Sequence, residues 1–462
     1  MSSTSASDPV QRLRAAIDGR VIAPGDAAYD QARTVFYGWV DRRPAVIIRV
    51  ADEADVSHVV SLARETGLEL AIRSGGHSLA GHSSSDGGIV LDLSAMTGLQ
   101  LDTRQRTAWA QTGLTAGQYT AAAGAHGLAT GFGDTGSVGI GGLTLGGGVG
   151  YLVRKHGLTI DDLLAVELVT ADGQVLHVDA DTHPDLFWAL RGGGGNFGEA
   201  TRLRFRLHPV GTIVGGMLLL PASPQVIAGF VAAAEAAPEA LSAIANIMPA
   251  PPMPMPMVPA DQQGRLVIMA LLCHAGDPEA GERAVAPFRA LATPLADLVR
   301  PMPYPEIYQL TEGPGPDEEV ARSMFVDAVD LPTAEAIVDH LQASTAPLAV
   351  AQLRVMGGAM ARVPAGATAF AHRSRRIMVA IGAVYERPEE AAVHQAWVTG
   401  FAAALRQGDP GVYVNFLGDE GVARAREAYP GSTWDRLVAI KGRYDPTNLF
   451  RRNQNIPPAP PG

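Results

Sequence analysis

Apolar positions in the N-terminal part of the chain switch between β-branched runs and helical spacing. Ala45-Val46-Ile47-Ile48-Arg49-Val50 predicts a strand. From Asp52 to Thr66, Val56, Val59, Val60, Leu62 and Ala63 recur at helical spacing, and Gly67 follows as a C-cap. Leu70-Ala71-Ile72 is the next strand. This βαβ unit delivers the loop Arg73-Ser74-Gly75-Gly76-His77-Ser78 at a strand end, where α/β architectures collect ligands. Ile89 to Leu93 predicts a further strand, Leu99 to Ala110 a hairpin around Asp102-Thr103-Arg104-Gln105, and Thr115 to Ala125 a helix ending at Gly127. Residues 165–170 and 175–178 flank the turn signal Asp172-Gly173 as a second hairpin, and Thr201 to Leu207 alternates as a strand. Residues 9 to 42 read as a short helix and a connecting segment. The alternation is not strictly βα, so the pattern predicts an α+β fold and not a doubly wound one.

Around Pro209 the texture changes. Glycine runs thin out and alternating apolar segments take over, with helices over 223–236 and 333–342 and strands over 266–272 and 377–384. The expected organisation is residues 1–208, a second sheet-based region over 209–411, and a C-terminal segment, 412–462, that returns to the first. Within the second region, residues 248–257 form a Pro/Met tract, read as a stiff surface connection without regular hydrogen bonding. Tyr413-Val414-Asn415-Phe416 reads as a strand, and Tyr429 and Trp434 fall in a following helical region.

Glycine, with 52 residues, is concentrated in three loops. The first is Ser74 to Ser78. The second runs from Gly131 through Gly136, Val138, Gly139, Gly141 and Gly142 to Gly150. The third is Arg191 to Gly198. Adjacent glycines let backbone approach a ligand closely, and successive amides can line a concave anion site. Arg73 can add charge there. His77 brings an imidazole that can serve as metal ligand, base or nucleophile. Three such loops interleaved with strands suggest one long ligand lying against backbone.

Composition narrows the chemistry. With 47% hydrophobic residues the 462-residue chain can bury a large core, and its formal net charge of -11 argues against nucleic acid. Cys273 is the only cysteine, which excludes an intrachain disulfide and a multi-cysteine metal site. The polar start, Met1 to Asp8, is unlike a secretory signal, and no apolar run is long enough to span a bilayer. A cytoplasmic protein, monomeric or homodimeric and without a membrane partner, is the expectation.

Gly131 to Gly136 and Gly193 to Gly198 formally match G-x-G-x-x-G, but neither opens a helix directly after a strand. No acidic residue stands near Leu218 to Leu220, where a ribose would need one. A Rossmann site is rejected. His77 and His82 are five apart with no carboxylate set at ligand spacing, so no metal is expected and His82 reads as a hydrogen-bonding loop residue. A G-x-S-x-G elbow is absent. What remains is a long nucleotide cofactor held by glycine loops.

The motifs Pro44 to Ile47, Arg73-Ser74-Gly75-Gly76-His77, Val138-Gly139-Ile140-Gly141-Gly142 with Gly146-Gly147-Gly148, Arg191 to Gly198, Tyr413-Val414-Asn415 and Tyr444 to Phe450 occur in an order that resembles the berberine-bridge-enzyme-like flavoproteins. These belong to the vanillyl-alcohol-oxidase and p-cresol-methylhydroxylase superfamily. The resemblance runs from about Arg43 to the end of the chain. It implies a two-part FAD-binding domain of the p-cresol-methylhydroxylase type, plus a substrate domain with an antiparallel sheet covered by helices. It also implies FAD bonded through its 8α carbon to His77. Ser74, Gly75 and Gly76 would hold the pyrophosphate, with Ser78, His82 and Ser83 beside them. Thr135, Gly136, Val138, Gly139, Gly141, Gly142, Leu143 and Gly146 would follow the ribityl chain and ring. Gly195, Asn196 and Gly198 would support the adenosine side, with Asn453 added from the C-terminal tail. Where many relatives carry a second flavin link from a cysteine, this chain has Thr135, so one covalent bond is expected. Leu79 and Val149 replace tyrosines of plant-type members.

The implied chemistry is hydride transfer from a small substrate to flavin N5, with O2 as acceptor. Tyr413 matches the active-site tyrosine of Y-x-N, and strand alternation would put Asn415 on its face. Gln352 is the second catalytic candidate. Arg354, His372 and Arg373 lie on segments that the family places near substrate. Val138 matches a position where oxidases of the family carry valine, leaving room for dioxygen. A secondary-metabolite oxidase is expected first, because the second region is apolar with few aromatics. A carbohydrate oxidase giving a lactone, and a flavin dehydrogenase reacting poorly with oxygen, are the alternatives.

Overall fold

The computed structural model describes residues 9–250, 263–408 and 411–460. The βαβ unit forms as its pattern requires. Asp52 caps the Glu53–Thr66 helix by accepting from the amides of Ala54 and Asp55, and Gly67 ends it at φ 69°. Val46–Arg49 and Leu70–Arg73 flank Ile89–Asp92 in parallel register. Arg20–Ile22 adds an antiparallel edge from the segment expected to be a plain connection. The apolar stripe of the helix, with Val56, Val59, Val60 and Ala63, packs against this four-stranded sheet.

An antiparallel sheet follows, in the order Leu99–Asp102, Thr107–Gln111, Glu199–Arg206, Leu163–Val169 and Val175–Asp179, so both expected hairpins form. Its core takes in Tyr119, Phe132 and Phe205, stacked edge-on, and the C-terminal Trp434, Leu437 and Ile456. The C-terminal segment is tied in by a fully buried pair. Lys441 Nζ lies 2.6 Å from Asp445 Oδ2 and also donates to the carbonyls of Asn196 and Phe450, while Asp445 accepts from the amides of Leu449 and Phe450.

The second region is built on a large antiparallel sheet. It contains the expected Leu266–His274 and Ile377–Tyr385 and also Thr212–Pro221, Leu241–Pro249, Glu318–Val326 and Leu348–Val355, which the pattern does not single out. Period-two alternation divides the faces of this sheet. Ala349, Ala351, Leu353 and Val355 join Phe230, Ile337 and Phe401 of the covering helices, while Val350, Gln352 and Arg354 point to the opposite face. Part of the Pro/Met tract is regular after all: Met248 and Pro249 pair with Val267 and Leu266 at the end of a strand. Residues 251–257 of the tract lie outside the described residues, as do Met1 to Asp8. Among the described residues no helix is long and apolar enough to cross a membrane. The architecture is α+β, with the mixed sheets and helices expected.

Candidate active site

The first two glycine loops touch backbone to backbone. A Cβ on Gly75 would sit 2.2 Å from the amide nitrogen of Gly139, and one on Gly139 would sit 2.2 Å from Ser74 Oγ. Only hydrogen fits there, so this pair of glycines serves loop–loop contact as well as any ligand. Gly76 adopts φ +76°, which turns the chain toward His77. The glycine-rich stretch after Gly139 is a short helix, Ile140–Gly146, where a loop was expected. Its lack of side chains admits neighbours: a Cβ at Gly146 would fall 2.0 Å from Asn415 Oδ1.

These loops line a cavity of about 660 Å³ that runs from between the two smaller sheets to the open face of the large one. Its wall includes Ser74, Gly75, Gly76, His77, Ser78, His82 and Ser83 from the first loop region. The second contributes Thr135, Val138, Gly139, Gly141, Gly142 and Leu143, and the third Gly195 and Asn196. Tyr413, Asn415, Gln352 and Asn453 reach the same cavity. Four expected site residues do not. Arg73 is turned away, donating to Asp92 at 3.1 Å and to the Thr34 carbonyl at 3.2 Å. Gly136 packs on Tyr308 and Gly117, Gly146 on Asn415, and Gly198 on Leu168 and the Val169 carbonyl.

His77 stacks on Phe36 with ring centroids 3.9 Å apart. Burial pushes its pKa down to about 4, partly offset by a hydrogen bond to the Ser137 carbonyl. The imidazole is therefore neutral at pH 7 and keeps a nucleophilic nitrogen. His82 is also held near 4 by burial. Its backbone amide donates to Ser78 Oγ, but neither ring nitrogen has a partner among the described residues. The ring expected to be hydrogen-bonded in its loop instead stands unpaired on the cavity wall.

The Tyr413–Phe416 segment is not a strand. Val414–Phe416 forms a 3-10 turn, closed by the Phe416 amide on the Tyr413 carbonyl at 2.9 Å. The turn brings Asn415 onto Tyr413: Asn415 Nδ2 donates to the phenolic oxygen at 2.9 Å and to the Leu143 carbonyl at 2.9 Å. Gly148 N–H donates to the same phenolic oxygen at 2.8 Å. Burial pushes the Tyr413 pKa up to about 12, against the opposing pull of these donors, the Arg354 charge and the Val149 amide.

Facing Tyr413 on the sheet is a polar chain. Gln352 Nε2 donates to Asn246 Oδ1 at 2.8 Å, Arg354 Nε donates to Gln352 Oε1 at 2.8 Å, and Arg354 Nη2 meets Asp134 Oδ2 at 2.6 Å. Arg354 Nη1 is buried without a partner. Around this chain Met269, Leu271, Leu310, Val350 and Phe416 give apolar wall, and Glu319, Arg322 and Ser323 line it from the Glu318–Val326 strand. Arg373 is committed elsewhere, bonded to Asp161 at 2.7 Å and to Thr368, and His372 leans on Phe325; neither lines the cavity.

Several wall residues carry little signal in the sequence. Phe36 and Tyr37 lie in a segment with no periodicity. Asn246 sits on an unassigned strand. Glu199 and Glu319 are buried carboxyls, raised to about 8 and about 7 by burial. Each lies at the start of a strand that carries further charges, so neither stands out in the sequence.

The FAD binding domain family matches residues 44–179, and the family described as berberine and berberine like matches residues 412–457. The (R)-6-hydroxynicotine oxidase of Paenarthrobacter nicotinovorans is 31% identical over 96% of this chain and 97% of its own length. The chain belongs to the berberine-bridge-enzyme-like FAD-linked oxidoreductases. Among solved structures, 6-hydroxy-D-nicotine oxidase from Arthrobacter nicotinovorans superposes with TM-score 0.85 at 28% identity, covering 95% of this chain and 98% of that one. Glucooligosaccharide oxidase from Acremonium strictum, whose FAD carries 6-S-cysteinyl and 8α-N1-histidyl links, superposes at TM-score 0.84 and 23% identity, covering 98% and 99%. The wall of this family member's cavity fits FAD. Glycine backbone lines its middle, and Asn453 Oδ1, both His82 nitrogens and Arg354 Nη1 are buried polar atoms left without protein partners.

Proposed function

We propose that this chain is an FAD-dependent oxidase of a small, largely apolar organic substrate, with the flavin bonded through His77. The carrying observation is one cavity that joins His77, the glycine loops, Tyr413 and Gln352 beneath a sheet face where Met269, Leu271 and Val350 surround a short polar chain. The first-loop amides and Ser78 would hold the pyrophosphate, the second loop the ribityl chain and ring, and Gly195 and Asn453 the nucleotide end. When bound, FAD supplies the two-electron acceptor, taking hydride at N5 and returning electrons to dioxygen. Tyr413, as the phenolate, takes the substrate proton at its phenolic oxygen, and the Gly148 amide and Asn415 Nδ2 hold the negative charge on that oxygen before the transfer. Gln352, fixed between Asn246 and Arg354, orients the substrate. Met269, Leu271 and Leu310 exclude water from the reacting end.

Thr135 stands where a relative's cysteine would link the flavin a second time. Cys273 is buried in the large sheet, off the cavity wall, with its thiol pushed up to about 12 by burial. A single link is the consequence.

A second reading, an aldose or oligosaccharide oxidase, is favoured by the Asn246–Gln352–Arg354 chain, which offers donors and acceptors to hydroxyl groups. Anaerobic loss of flavin colour on mixing with a panel separates the two. Cyclic amines, phenols and secondary alcohols should bleach the flavin at millimolar concentration. Bleaching by aldoses or xylo- and gluco-oligosaccharides alone would establish the second reading.

A further inference from the structure

Glu199 opens the Glu199–Arg206 strand directly after the third glycine loop. It is 6% exposed and lines the cavity, yet its carboxyl makes no hydrogen bond or ion pair among the described residues. A buried carboxyl left alone is costly, and such a group calls for a partner. Burial alone pushes its pKa up to about 8, with no neighbouring donor or charge to oppose it.

Its position identifies the partner. The cavity has two ends. One lies against the large sheet and carries Tyr413, Gln352 and Arg354, the groups assigned to the substrate. The other lies between the two smaller sheets. There Leu70 and Leu93 line the wall from the four-stranded sheet, and Glu199 and Ala200 from the five-stranded one. Val169, the ladder partner of Glu199, belongs to the same apolar cluster as Leu70, Leu93 and Phe450. A dinucleotide whose reactive ring faces Tyr413 leaves its adenosine half in this second, apolar end. Adenosine brings donors there, the adenine amino group and the ribose hydroxyls, and a carboxyl oxygen accepts from either.

We propose that Glu199 is the recognition group for the adenosine half of FAD, making the site selective for the dinucleotide over the mononucleotide. The proposal rests on the cavity being the flavin site. Apolar walls hold the base and the Glu199 carboxyl supplies direction, the usual division of labour in a buried ligand site.

The test uses full-length protein carrying His77→Ala, so that flavin is dissociable, and titrates it with FAD and with FMN. With Glu199 present, FAD should bind far more tightly than FMN. Glu199→Leu should weaken FAD by about tenfold or more while leaving FMN unchanged, because an adenosine donor then loses its acceptor. Glu199→Gln, whose amide oxygen still accepts, should keep FAD within a few-fold of the parent, by roughly the margin of one retained hydrogen bond. Unchanged FAD binding by Glu199→Leu would overturn the proposal, as would equal losses for FAD and FMN, which would make Glu199 a structural residue. Failure of the His77→Ala parent to bind either flavin would remove the flavin reading and this proposal together.

Discussion

Asn415 Nδ2 donates to the phenolic oxygen of Tyr413 at 2.9 Å, across a 3-10 turn that closes between them. Two residues apart on a strand, the same side chains would share a face but stand well apart. The turn converts a sequence neighbour into a hydrogen-bond donor, and with Gly148 N–H it makes the phenolic oxygen a site prepared for negative charge.

Tyr413→Phe removes the proton acceptor and little volume. Flavin loading should persist, and the anaerobic rate of flavin reduction should fall by about 10²–10⁴-fold. Affinity for substrate should change less, since the interaction belongs to the transition state. A stopped-flow rate within about threefold of wild type would reassign Tyr413 to packing.

The pH profile carries the same claim with a definite sign. The base form is the phenolate, and burial raises the Tyr413 pKa to about 12. Raising the pH therefore increases the active form across the whole stable range, and the reduction rate should climb without a plateau below about pH 10. In Tyr413→Phe that alkaline limb should vanish. A wild-type plateau near neutrality would point to a different base.

Much of this arrangement is legible in the chain, for reasons that differ by element. The βαβ unit declares itself because the Glu53–Thr66 helix has a one-sided apolar stripe, an Asp52 cap and Gly67 at its end. The glycine loops are visible because Gly75 and Gly139 have no freedom to be anything else. Glu318–Val326 and Leu348–Val355 are hidden because one face of each lines a cavity, so Glu319, Gln352 and Arg354 interrupt the apolar run. The Tyr413 turn is hidden because its cause is tertiary: Asn415 is drawn to the Leu143 carbonyl of a distant helix. Arg73 reads as a loop charge but is claimed by Asp92, its register partner on the neighbouring parallel strand.

The C-terminal segment should be the stability-critical attachment. Asp445→Asn leaves Lys441 buried with its counter-charge gone, and breaking such a pair costs about 3–5 kcal/mol. Urea unfolding should show the loss. Replacing both partners together by Met and Leu should cost less than the sum of the single changes. Additive losses would mean that the two side chains act independently.

Val138 lines the cavity beside the second glycine loop. Reduced protein should reoxidise rapidly in air-saturated buffer, and Val138→Leu should slow that step by about tenfold or more, roughly 1.4 kcal/mol of barrier, without altering anaerobic reduction. Slow reoxidation of the wild type, over many minutes, would support the dehydrogenase reading.

The most direct measurement of the central claim is the fate of the flavin on denaturation. His77 is neutral, stacked on Phe36 and on the cavity wall, the condition of a nucleophile able to hold the cofactor. Acid-precipitated protein should stay yellow, and mass spectrometry of its proteolytic digest should find the flavin mass on the peptide containing His77 and on no other, with His77→Ala giving a colourless pellet. Flavin released entirely into the supernatant from the wild-type protein would contradict the account.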